Sequence, residues 1–150
     1  MGGIVEMTTA LKSGEIVGVM GDRMFGSDSN AVSAPFLGSA IDIPVSPYRL
    51  ASAARAPIIV VFSHRVGRAA YDIHLATTIH VPPGLGRNPA AYEPYATEFT
   101  RTLEQYVEAH PWEFFNFFDM WGQKAEGRRS EVRAPTHDPR GGPDGVRPRR

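Results

Sequence analysis

An α/β domain with a mixed sheet flanked by helices is the fold class this sequence predicts, and three stretches carry the prediction. Ile58 to Phe62 is a short β-branched, apolar run without alternation, the pattern of a central strand covered on both faces. From Tyr71 to Val81 apolar residues alternate strictly with polar ones. Tyr71, Ile73, Leu75, Ile79 and Val81 point one way and Asp72, His74, Thr78 and His80 the other, as in a half-exposed strand. After Asn88-Pro89, residues Tyr92, Tyr95, Ala96, Phe99, Leu103, Tyr106 and Val107 recur at helical spacing along one face. Pro94 is able to delay the regular start of that helix.

The remaining elements follow from shorter signals. Ile4, Met7, Thr8 and Leu11 share a helical face in Gly3 to Lys12, closed by Ser13-Gly14. Glu15 to Met20 reads as a buried strand opening into the loop Gly21-Asp22-Arg23, and α/β proteins tend to place their chemistry at such strand ends. Residues 24 to 30 have turn composition, and Ala31 to Phe36 forms a second short strand closed by Gly38. Ser46 suits an N-cap with Pro47 at the first helical position, leading a helix through Tyr48, Leu50, Ala51 and Ala54 that Ala56-Pro57 ends. Trp112 to Trp121 concentrates both tryptophans and four of the eight phenylalanines, too many apolar rings to leave in water. Beyond Gly122 the apolar content falls to Val132 and Val146 among prolines, glycines and charges, so residues 1–121 are expected to form the domain and 122–150 a disordered tail.

Composition narrows the chemistry. The chain has 150 residues, enough for one domain, and no cysteine, which excludes thiol catalysis, disulfides and thiolate metal sites. Zero net charge conceals an asymmetry: the tail carries eight Lys and Arg against four acids, leaving the first 121 residues equally negative. Acids and prolines interspersed in that tail favour a solvated segment over a nucleic-acid or lipid anchor. No run approaches the roughly 18 apolar residues of a membrane span. The G-x-S-x-G elbow, the phosphate loop, the dinucleotide fingerprint and the H-E-x-x-H helix are all absent.

Among candidate site residues, Gly21-Asp22-Arg23 admits two readings. It is either a turn with a local ion pair, or a site in which Arg23 binds phosphate or carbonyl oxygen through its planar donors while Asp22 holds the guanidinium. His74 and His80, six residues apart on a strand and so roughly 20 Å from each other, cannot share a metal ion. His110 suits a helix C-terminus, and His64, after the central strand and beside Arg65, is the best placed of the histidines for catalysis.

In order and spacing, these pieces resemble the lipid A biosynthesis acyltransferases. The matching motifs are the strand with Gly21-Asp22-Arg23, then Pro35-Phe36-Leu37-Gly38, the small-residue helix Pro47 to Ala54, Ala56-Pro57-Ile58-Ile59 into a strand, and His110-Pro111-Trp112 with its aromatic run; together they cover about residues 1 to 124. Ile41-Asp42-Ile43-Pro44 departs from the glycine-richer pattern of that region in the family. The resemblance implies a glycerolipid-acyltransferase-like fold, here its C-terminal part and incomplete at the N-terminus. It also implies transfer of a fatty acyl group from an acyl-carrier-protein or coenzyme A thioester to a lipid A-type or related glycolipid hydroxyl, without metal or cofactor and without nucleic acid. Among the substrate-binding residues it implies, Asp22 and Arg23 would belong to the substrate or phosphate side of the cleft, and Phe36 to Gly38 would line the neighbouring loop. The aromatic run would close the acyl pocket, meet the membrane interface, or only pack the last helix on the sheet. Contact with the cytoplasmic face of the bacterial inner membrane would be peripheral. The family's general base is the histidine of an H-x-x-x-x-D/E motif. The residues five places after each histidine here are Ala69, Ile79, Leu85, Phe115 and Gly142, none acidic, so the chain alone is expected to be inactive. The alternative is a non-catalytic binding or partner module derived from an acyltransferase.

Overall fold

The computed structural model describes residues 3–23, 30–117 and 119–121. Helix α1 (Gly3–Lys12) is followed by strands β1 (Ala31–Phe36) and β2 (Ser39–Pro44), helix α2 (Ser46–Ala54), strands β3 (Ile58–Arg65) and β4 (Tyr71–Ile79), and helix α3 (Glu93–Ala109). Short 3-10 turns at Pro89–Tyr92 and Pro111–Glu113 flank α3. The expected tail at 122–150 and the turn at 24–29 lie outside the described residues.

The mixed sheet is replaced by two antiparallel pairs, β1 with β2 and β3 with β4. The first is a hairpin that composition did not announce, because Ile41-Asp42-Ile43-Pro44 lacks the length and bounding turns of an evident strand. In the pair, Val32 lies opposite Ile43, and Ala34 opposite Ile41. These four side chains and Phe36 form the buried side of the hairpin, and α3 packs on β1. The face α3 presents is the one its periodicity marks: Ala96, Leu103 and Val107 are buried, with Tyr95 and Phe99 packed beside them. Thr100, which apolar periodicity passes over, is fully buried on the same face and bonds its hydroxyl to the Thr97 carbonyl at 3.2 Å. Pro94 stands in the first turn of α3, so the preceding residues Pro89–Tyr92 wind as a 3-10 turn capped by the Asn88 side chain.

Helix α2 starts at Ser46 itself, with Val45 at the N-cap and no side-chain cap, so the serine does not play its expected part. Val45 instead donates its N–H to the Asn30 carbonyl at 2.7 Å and buries its side chain completely. The helix ends at Arg55, whose φ of 55° is left-handed, with its N–H on the Ala51 carbonyl. Ser52 Oγ donates to the Pro82 carbonyl at 2.7 Å, and the Arg49 guanidinium reaches Asn30 Oδ1 and the Arg87 carbonyl, tying α2 to the loops on either side.

Two expectations about strands fail for one reason, the lack of ladder partners. Glu15–Met20 adopts no regular structure, and Ile16, Val19 and Met20 are exposed. Strand β3 pairs only with β4 among the described residues, so it is not central, and Ile59 and Val61 face outward uncovered. A further departure lies in β4. Val60 pairs with Thr77 but Val61 with Leu75, so Ala76 is an extra residue, a β-bulge. The bulge inverts the alternation. Ile79 points into the core, whereas Leu75, Ile73 and Tyr71 point outward and His74 and Asp72 point inward toward α3.

Tyr48 on α2 is 3 % exposed, and burial, followed by the negative charge of Glu98, holds its phenol well above the ordinary tyrosine value. A group whose folded-state value is raised contributes stability below its unfolded value, about pH 10, and loses it as pH rises beyond. Denaturant midpoints are therefore expected to fall steeply above about pH 10, and less steeply in Tyr48→Phe. Identical alkaline slopes for the two proteins would count against Tyr48 as the source.

Candidate functional site

Gly21 fixes where the polar loop sits. A side-chain carbon added at Gly21 would lie 2.8 Å from Phe99 Cζ, so glycine lets the backbone rest on the ring of α3 where a larger residue would displace that ring. This contact carries Asp22, half-buried, and Arg23, exposed, to the flank of α3. Beside them runs a groove of about 1100 Å³, bounded by Glu15–Asp22, by α2, by β3 from Ile58 to Ser63, and by Phe99, Leu103 and Tyr106 of α3. Glu113 to Asn116 closes one side. Its walls are mainly aliphatic and aromatic, with Glu15, Asp22, Arg55 and Glu113 as the charged groups among its lining. Such a lining suits a long apolar ligand with one polar end.

The proposed substrate residues separate in space. Asp22 lines the groove, whereas Arg23, Phe36 and Gly38 do not. Phe36 is wholly buried and packs against Phe114 (ring centroids 5.8 Å apart) and against Trp121 (6.1 Å, nearly parallel). Because Phe114 also lines the groove, Phe36 bears on it through that ring. The aromatic run thus packs on the β1–β2 hairpin through Phe114 and Trp121, while Trp112, Phe115 and Phe117 remain exposed.

The β1–β2 turn is built on two left-handed residues, Leu37 (φ 48°) and Gly38 (φ 78°), the arrangement of a two-residue type I′ turn. Glycine accepts this conformation freely. Leucine does so at a cost of roughly 1–2 kcal/mol. The Leu37 N–H is directed onto Glu104 Oε1 of α3 at 3.0 Å, which locks the turn to the helix across 67 positions of sequence. No local pattern signals this contact.

The histidines gather elsewhere. His64, His74 and His110 line a smaller cleft of about 260 Å³ with Asp72, between the β3–β4 pair and the end of α3. The imidazoles of His64 and His110 stack at 4.7 Å, Tyr106 lies against His110 at 4.9 Å, and Phe62 stacks on Tyr106 at 4.3 Å. Tyr106 donates its hydroxyl to the Ser63 carbonyl at 3.2 Å, and burial, then Glu113, raises its phenol. His110 caps α3 through its N–H to the Tyr106 carbonyl, as its position suggests. His64 Nδ1 is buried without a hydrogen-bond partner, so no carboxylate orients this imidazole as a base through that nitrogen. Among the described residues no three His, Asp or Glu side chains converge on a point that could hold a metal ion.

The strained turn makes a testable pair. Leu37→Asn, which accepts left-handed φ more readily, is expected to stabilise the fold by about 1 kcal/mol, whereas Glu104→Ala costs about 1 kcal/mol by freeing the Leu37 N–H. Chemical denaturation measures both. A loss of stability in Leu37→Asn would mean that the leucine side chain makes packing contacts outweighing the strain.

No curated protein and no solved structure gives a significant match to the chain. The bacterial lipid A biosynthesis acyltransferase family matches residues 1–123, a span that takes in both the Gly21-Asp22-Arg23 loop and the whole aromatic run. The chain belongs to that family of acyltransferases.

Proposed function

We propose that the chain serves the transfer of a fatty acyl group from an acyl-carrier-protein or coenzyme A thioester to a hydroxyl of a lipid A-type glycolipid. In this reading residues 1–121 are the acyltransferase portion and 122–150 an appended tail. The observation that carries the reading, given family membership, is the groove beside Asp22: an apolar trough with its charges at the margins, suited to an alkyl chain whose thioester end stays near the polar loop. Arg23 is the group for a phosphate or carbonyl oxygen, since its planar donors match either, and Asp22 restrains it. Phe36 acts at one remove, through the Phe114 ring that lines the groove, and Gly38 by shaping the turn that follows it. The work would take place at the cytoplasmic face of the inner membrane, with peripheral contact. No described helix is long and apolar enough to cross a membrane.

Acyl transfer to a hydroxyl needs a base to take the hydroxyl proton as oxygen attacks the thioester carbon and the thiolate leaves. No histidine in this sequence has an acid five positions later. The chain by itself therefore binds acyl thioester without turning it over. A second reading, a binding module working with a base from another polypeptide, shares that expectation and differs only once a complementing protein is added.

Purified chain given acyl thioester and a lipid A precursor is expected to show no transfer above background while retaining thioester binding. Met20→Glu, placing a charge in the groove wall, should weaken binding of the acyl thioester by about tenfold or more. Arg23→Ala should weaken a phosphate-bearing acceptor by about tenfold or more and leave a dephosphorylated one unchanged. Turnover by the chain alone would overturn the inactivity, and unaltered thioester binding by Met20→Glu would overturn the groove assignment.

A further inference from the structure

Two cavities meet at one pair of rings. The groove beside the polar loop is lined along α3 by Phe99, Leu103 and Tyr106, which follow one another down a single face of the helix, and along β3 as far as Ser63. The smaller cleft, of about 260 Å³, holds His64, His74 and His110. Among the described residues, Phe62 and Tyr106 are the two that both linings share. Their rings, one from β3 and one from α3, stack at 4.3 Å, so this pair stands between the groove and the cleft.

Several contacts fix the Tyr106 ring in that position. Phe62 stacks on it, and His110 lies against it at 4.9 Å, with His64 stacked in turn on His110 at 4.7 Å. The Tyr106 hydroxyl donates to the Ser63 carbonyl at 3.2 Å, a crossbar from α3 to the last residue of β3 in the groove. Turning the ring to another rotamer would break the hydrogen bond and the ring contacts together. At this end the groove therefore meets a fixed wall, although open volume lies behind it. The opposite end is of another kind, since there Gly21 rests on Phe99 and Asp22 joins the lining. An alkyl chain whose thioester stays near Asp22, and which runs along Phe99 and Leu103, arrives at the ring of Tyr106.

We infer that Tyr106, stacked on Phe62, is the stop that sets the longest acyl chain the groove takes in, and that the histidine cleft is volume this stop withholds from the chain. The inference rests on the proposed acyl transfer, whose chain-length preference it assigns to one side chain. Each methylene that leaves water for an apolar lining strengthens binding by about fourfold. A methylene that has reached the stop must fold back or remain in water, and adds nothing. Affinity should then climb with chain length and level off at a cut-off. Methylenes admitted to the cleft should gain less than those in the groove, because Ala76 and Ala109 there share the lining with imidazoles and Asp72.

Binding of the full chain to coenzyme A thioesters of saturated fatty acids, from hexanoyl to stearoyl and each below its micelle concentration, measures the cut-off. Wild type is expected to show the climb and then the plateau. Tyr106→Ala should move the plateau to longer chains and bind the first chain beyond the wild-type cut-off about threefold or more tighter than wild type does. Tyr106→Phe keeps the ring and should keep the cut-off. Should Tyr106→Ala fail to fold, wild type with a thioester carbon-13-labelled at its terminal methyl, at the cut-off length, should show nuclear Overhauser contacts from that methyl to the Phe62 and Tyr106 rings and none to His74 or Thr102. An unchanged cut-off in folded Tyr106→Ala overturns the stop, as does affinity that keeps climbing in wild type or a terminal methyl remote from both rings. These results leave the groove itself as the acyl site. Absence of binding at every length instead removes that site, and the stop with it.

Discussion

The seating of α3 on the β1–β2 hairpin is the constraint on which the other parts depend. One face of this helix covers β1, and the same helix holds the polar loop through Phe99 under Gly21, the hairpin turn through Glu104 under Leu37, and β3 through Tyr106. Three segments far apart in sequence are thereby referred to one rigid rod. Truncating a fully buried ring such as Phe36 at this junction would cost about 3–5 kcal/mol, a large share of the stability of a small domain. The groove beside Asp22 exists because α3 holds the loop and β3 apart.

Much of this was legible in the sequence where a periodicity acts over one element. The apolar face of α3, the helices α1 and α2, and the strands β1, β3 and β4 follow from spacing and from proline and glycine placement. What was not legible depends on partners. Glu15–Met20 has the composition of a buried strand but no ladder to join among the described residues, and the same lack leaves Ile59 and Val61 in solvent. The bulge at Ala76 leaves the local pattern of residues unaltered while reversing which of them face α3, so alternation alone assigned Tyr71, Ile73 and Leu75 to the wrong environment.

The candidate site shows the same division. Asp22 and Arg23 are recognisable as a polar loop, of which Gly21 and Asp22 reach the groove and Arg23 does not. Phe36 and Gly38, two positions apart in one motif, lie outside the lining, because a short motif reports neighbours in sequence and the groove is assembled from α2, β3 and α3. The contact from Glu104 to Leu37 and the stacked His64 and His110 join positions dozens of residues apart and leave no local trace. Family membership, by contrast, was carried by the order of motifs, which survives even where individual strands are assigned incorrectly.

Whether the trough along β3 receives the acyl chain is tested most directly by nuclear Overhauser contacts between a carbon-13-labelled acyl thioester and the methyl groups of the protein. Contacts are expected from the alkyl chain to Val19, Met20, Val61 and Leu103, with the thioester end toward Asp22. Contacts confined to residues outside this lining, or none at saturating thioester, would contradict that assignment.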